Sequence, residues 1–151
     1  MKKQIISTTA LIIMAIVIGT SQLAQARTLS GRLVVHVPFD FVAGQQQLPA
    51  GRYTVRNAKT DSDTALIIQS EDGKQAAILL TQSDGGRAER ARLTFRQYGD
   101  QFFLAGVWVP GTAGGRQLPE SKQERRFRRE LRAKAETGAE AKIVTVLGNI
   151  Q

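Results

Sequence analysis

The chain reads as an all-β protein, an antiparallel sandwich or barrel of about six to seven strands with one C-terminal basic amphipathic helix. Three observations predict this. Apolar residues recur at period two from Leu33 onward. Short turn signals separate those runs, with no helical stretch between them. Bases then crowd one segment near the C-terminus, directly behind a helix-start signal. An α+β fold with a smaller sheet is the alternative the same pattern allows.

The elements follow in order. Leu33, Val35 and Val37, continuing into Phe39 and Phe41, form one apolar strand face. Pro38 lacks a ladder donor, so that strand is an edge or bends there. Residues 44–51 (GQQQLPAG) predict a turn leading into Arg52–Arg56, with Tyr53 and Val55 inward. A loop at 59–63 precedes a strand over Ala65–Gln69. Asp72-Gly73 predicts a tight hairpin back into Ala76–Gln82. After a polar loop at 83–89, Arg92–Tyr98 alternates and Gly99-Asp100 turns the chain into Gln101–Val109, with Leu93, Phe95 and Phe103 as core residues. Residues 110–118 are a Gly-rich linker. Ser121 as N-cap with Glu124 three positions on predicts a helix from Lys122 to about Glu136, stopping before Gly138. Lys142–Leu147 reads as a final strand or as a loosely packed tail.

The first residues predict a destination. Lys2 and Lys3, the apolar run from Ile5 to Gly19, and Ala24-Gln25-Ala26 have the three-part form of a secretory signal peptide cleaved after Ala26. The apolar run is too short and too interrupted by Ser7, Thr8 and Thr9 for a spanning anchor. The domain plan is therefore a signal at 1–26, a β domain at 27–117, and a helix and tail at 118–151 packed on it. The product is expected to be exported, periplasmic or extracellular. Removing 26 residues from 151 leaves 125, enough for one core. Its 19 bases, of which 14 are Arg, face 13 acids, and Arg forks suit carboxylate and phosphate partners.

The chemistry the sequence excludes is broad. With no cysteine, thiol catalysis, zinc–thiolate sites and lipid attachment through cysteine fall away. His36 is the lone histidine, and Asp40 lies about 13 Å away along an extended strand, too far for a pair. Asp61-x-Asp63 fails the calcium-loop pattern because Leu66 stands where glycine is needed. Gly114-Gly115-Arg116 lacks the Lys-Ser/Thr ending of a phosphate loop. No catalytic, metal or cofactor set is expected, so the chain reads as non-catalytic.

Two candidate binding surfaces are read instead. Between residues 122 and 134 lie seven bases and two acids. Lys122, Arg125, Arg129 and Arg132 share one helical arc, opposite Phe127 and Leu131. That face suits an anionic partner such as a glycan, lipid headgroups or another envelope protein, or is a solvated surface with Glu124–Arg128 and Glu130–Lys134 pairs along it. Nucleic acid is a poor fit, because Phe127 is the helix's only aromatic and sits on the wrong face for stacking. In Gln101–Val109 both faces are apolar, so the second is covered by the helix or opens an apolar groove lined by Tyr98, Phe102 and Trp108.

Three segments carry a resemblance. They are Val37–Phe41 with Leu48–Val55, Tyr98–Leu104 with Trp108, and Gly115–Glu124. In this order they resemble a family of small exported proteins of acidobacterial-type soil bacteria whose activity is not established. The resemblance implies export and a small β-rich domain, and it carries over no functional residue. The expectation is an exported envelope or extracellular β module. Binding of an anionic polymer is the alternative, and a hydrolase the more distant one.

Overall fold

A computed structural model describes residues 31–59, 62–112, 114–134 and 140–151. The signal segment, Asp61 and the expected helix stop at Gly138 lie outside these residues. The fold is mostly β, a nearly closed barrel with one helix against it. The strands are β1 Leu33–Val37, β2 Phe41–Ala43, β3 Gln46–Leu48, β4 Gly51–Lys59, β5 Ser62–Ser70, β6 Ala76–Leu80, β7 Gln82–Ser83, β8 Arg92–Tyr98, β9 Gln101–Trp108, β10 Arg116–Gln117 and β11 Lys142–Ile150. The helix α1, Lys122–Ala133, lies between β10 and β11.

The sheet order is β3-β2-β9-β8-β11-β1-β4-β5-β6, with β10 beside β9 and β7 beside β10. Two expectations are corrected here. There are eleven strands among the described residues rather than six or seven, and the sheet is mixed, because β2 runs parallel to β9 through Val42↔Phe103. The additional strands are β2, split off the expected first strand, and β3, β7 and β10, two or three residues each and too short to show a period. β3 lies inside the expected 44–51 turn and contributes the buried Leu48.

Period two does set the interior. Leu33, Val35 and Val37 of β1 and Tyr53 and Val55 of β4 face inward and are buried. They meet Leu66, Ile68, Leu79, Leu93 and Phe95 in one apolar cluster. Phe95 lies edge-on to Phe39 and Phe41, with ring centres 5.2 and 5.4 Å apart. β1 ends at Val37, the residue before Pro38, and is internal to the sheet. The C-terminal segment is a nine-residue strand, β11, pairing antiparallel with β1 and β8 and joining the two halves of the barrel.

The β8–β9 hairpin has the expected two-residue turn, with Tyr98 opposite Gln101 and Gly99 at φ 58°. A bulge in β9 shifts the register between Thr94 and Phe95, pairing Thr94 with Gly106 but Phe95 with Leu104. The extra residue, Ala105, reverses which parity faces the core. Phe102 and Leu104 point inward before it, and Val107 and Val109 after it. Phe103 turns to the opposite face, where α1 covers it.

The barrel closes without backbone pairing at one seam. There the Gly44 turn of the β2–β3 hairpin packs against β6. A Cβ added at Gly44 would lie 3.7 Å from Leu79 Cδ2 and 3.8 Å from the Ile78 carbonyl oxygen.

Candidate functional site

The site is the outer surface of α1, and its geometry depends on how the helix is held. Ser121 is the N-cap, and its hydroxyl accepts from the Glu124 amide at 3.0 Å. The Glu124 side chain does not complete a capping box and does not pair with Arg128. It turns inward and is 1 % exposed. Both carboxylate oxygens accept from Arg96 of β8, at 2.5 and 3.0 Å, and Tyr98 Oη donates to the same carboxylate at 3.2 Å. Arg96 also donates to the Leu118 carbonyl at 3.3 Å. This buried fork ties the first turn of α1 to the barrel.

Glu124, Phe127 and Leu131 are spaced three and four apart, so they share one helical face. Leu131 and Phe127 pack with Val42, Tyr98 and Phe103 in a second apolar cluster, with the Phe103 and Phe127 ring centres 6.1 Å apart. The expected core residues Leu93, Phe95 and Phe103 are all buried, the first two in the barrel and the third beneath the helix.

With that face buried, Lys122, Arg125, Arg129 and Arg132 are all exposed on the other side. Lys122, Arg125 and Arg129, together with Arg126 and Arg128, line a shallow depression of about 520 Å³ whose wall is entirely basic. Arg128 is held by Glu120 at 2.8 Å and Arg126 by Glu130 at 2.9 Å. Arg125 donates to the Glu120 carbonyl at 2.6 Å. Lys122, Arg129 and Arg132 have no carboxylate partner among the described residues. Three of the four residues of the predicted arc, Lys122, Arg125 and Arg129, thus stand around this positive concavity, and Arg132 does not line it.

The expected apolar groove is not formed. Tyr98 is buried beneath α1, whereas Phe102 is on the opposite face of the hairpin, stacked on Phe39 with ring centres 3.9 Å apart. Trp108 lies beyond the bulge, with the Arg92 guanidinium 4.7 Å over its ring. Gly115 packs directly on that indole: a Cβ there would meet ring carbons at 2.4 Å. The hairpin register, with Tyr98 opposite Gln101, parts Tyr98 from Phe102, and the bulge at Ala105 parts Trp108 from Phe102.

Asp40 accepts from the Ala50 amide at 2.7 Å, and His36 is exposed on β1. Among the described residues no three His, Cys, Asp or Glu side chains converge as a metal site would need. Among them, too, no helix is long and apolar enough to cross a membrane.

Charge and burial displace the titrations of Arg96, Tyr98 and Tyr53, and hydrogen bonds from Ser70 and the Lys74 amide lower Asp72. Burial alone would lower Arg96, but the hydrogen bonds and charge of Glu124 carry it above its ordinary value. Tyr98 is raised by burial, then by the charges of Glu124 and Glu120, and Tyr53 by burial, then by Asp40 and Asp72. A raised tyrosine contributes stability that is complete below its unfolded value of about 10 and is lost as pH rises through the folded value. The melting temperature is therefore expected to fall above about pH 10, and Tyr98→Phe is expected to flatten that fall. A melting curve series with tyrosinate absorbance checks it; an unchanged slope in Tyr98→Phe would refute the assignment to Tyr98.

The Arg96–Glu124 fork is what reading the sequence missed. Its signal was present, because Glu124 stands on the apolar seam with Phe127 and Leu131, where a carboxylate needs a buried cation. Comparison with protein-family models, curated proteins and solved structures finds no match for this chain.

Proposed function

We propose that the protein is an exported, non-catalytic β module that docks on an anionic polymer or surface through the basic face of α1. One observation carries the reading. Lys122, Arg125, Arg129 and Arg132 stand exposed on one side of a helix whose other side is clamped to the barrel by Glu124, Phe127 and Leu131. A clamped helix presents its charges without the ordering cost that a free segment would meet on binding. None of the four bases has a carboxylate partner among the described residues, Arg125 being held only by the Glu120 backbone carbonyl, so their charge is available to a ligand. Export follows from the three-part N-terminal segment, and it favours extracellular or envelope polyanions as partners.

The test is retention on a polyanionic resin. Each base near an anionic surface is worth about 1 kcal/mol, so Arg125→Glu with Arg129→Glu should weaken retention at least about tenfold. The fold should survive, because both residues are exposed and the helix anchors lie opposite. Unchanged retention in a folded double variant would show that the charge on this face is only solvated surface.

A further inference from the structure

The C-terminal strand β11 is held differently from the rest of the barrel. It lies inside the sheet, with β8 on one edge and β1 on the other, yet none of its nine residues is buried. Every other described strand of five residues or more places at least two side chains in the core. The inward residues of β11, Val144 and Val146, are only partly buried, and Ile143 and Leu147 face solvent. Main-chain ladders hold the strand instead. They run from Lys142↔Gln97 to Leu147↔Arg92 on one edge and from Gly148↔Val35 to Ile150↔Leu33 on the other. Beyond them, Arg32 and Gln151 exchange N–H···O bonds of 3.0 and 2.9 Å.

An element with many backbone bonds and few buried apolar contacts opens locally before the core does. The helix ahead of it stays in place, because Glu124, Phe127 and Leu131 clamp it to the barrel. The slot that β11 fills is also selective. A Cβ added at Gly148 would lie 2.6 Å from Leu33 Cδ1 and 2.8 Å from the Val34 carbonyl oxygen. A strand entering between β1 and β8 therefore needs glycine at this register, and the sequence that fits is that of β11 itself.

We propose that the slot between β1 and β8 takes β11 from a second copy of this chain, each copy giving its strand to the other. The exchanged dimer regains the same pairs that each monomer gives up, so concentration and repulsion between copies decide the balance. Eight residues, 134–141, separate α1 from β11 in the sequence, a reach of about 26 Å for an extended chain. Both copies carry the same positive charge, +8 for the full chain, which opposes association. Salt screens that repulsion, so exchange should rise with salt, the opposite sign to polyanion binding. The proposal uses no base of α1 and is independent of the reading of that helix.

The chain has no cysteine, so single thiols can be placed in it without competition. The Gly148 amide donates to the Ala91 carbonyl, which sets Thr94 and Thr145 opposite each other at a position without ladder bonds, where side chains stand closest. Thr94→Cys and Thr145→Cys are made in separate copies of the chain, mixed and oxidised. A disulfide between positions 94 and 145 of two chains requires β11 of one to lie beside β8 of the other. Mass spectrometry should find it in excess of the disulfides that join like chains. A tenfold rise in chain concentration should raise its yield relative to monomer about tenfold. A synthetic peptide of residues 142–151 should suppress it, and the same peptide with alanine in place of Gly148 should not. Hydrogen exchange of the unmodified protein should release the β11 amides before those of the β8–β9 ladder. A mixed disulfide no more abundant than the like-chain ones overturns the proposal. So does equal suppression by both peptides, or β11 amides that exchange only together with the β8–β9 ladder.

Discussion

Phe95→Ala is expected to destabilise the protein by about 3–5 kcal/mol, measured as a loss in denaturant midpoint at constant slope. Phe95 is 0 % exposed and lies edge-on between Phe39 and Phe41, so truncation opens a cavity that those rings cannot fill without leaving their own packing. Phe103→Ala belongs to the same prediction with a different consequence. Phe103 is buried against Tyr98 and Phe127, so its loss should also loosen α1. A cost below about 1 kcal/mol for both variants would mean that the β8–β9 register is displaced by one residue.

Arg96→Met should cost about 3 kcal/mol, the lower end of the range for orphaning a buried charge, because the Arg96 side chain keeps 18 % exposure. It leaves the Glu124 carboxylate, 2 % exposed, with the Tyr98 hydroxyl in place of its cation. Adding Glu124→Leu to Arg96→Met should recover a large part of the loss, because neither charge is then buried alone. The double-mutant cycle is measured by chemical unfolding. Additive single effects would show that the two side chains do not act as a pair. The same variant bears on function: without the fork, the first turn of α1 and its exposed bases are no longer fixed to β8.

These two predictions rest on elements with different histories in the sequence. The β8–β9 hairpin was legible because Arg92–Tyr98 alternates over seven residues and Gly99-Asp100 supplies a two-residue turn. The start of α1 was legible for a similar local reason, the pairing of Ser121 with Glu124. The register beyond Leu104 was not, because one extra residue at Ala105 reverses the parity and no local composition marks it. That reversal parts Trp108 from Phe102, whereas Tyr98 is parted from Phe102 by the two-residue turn, which sets it opposite Gln101. β3, β7 and β10 are shorter than a detectable period, and the parallel contact of β2 with β9 joins residues some sixty positions apart. The final strand was ambiguous for the same non-local reason. Ile143 and Leu147 point to solvent at 61 % and 58 % exposure, and only the β1 and β8 neighbours make the segment a strand.

The candidate site divides along the same line. The basic arc is a property of one helix, so its spacing was sufficient to find it. What fixes the arc in place is an Arg96–Glu124 contact spanning 28 residues. Its partner cannot be read from spacing alone, since it depends on where β8 lies when the strands close.

The central claim, that this face of α1 is an anion-binding surface, is tested most directly by titrating a soluble sulfated polysaccharide into the protein across a salt series. Exposed charges are screened over about 8 Å at physiological ionic strength, so affinity should fall steeply as salt rises. In Arg125→Glu with Arg129→Glu, affinity at low salt should drop at least about tenfold and the salt dependence should flatten. Equal affinity and an equal salt dependence in the wild type and the double variant would contradict the account.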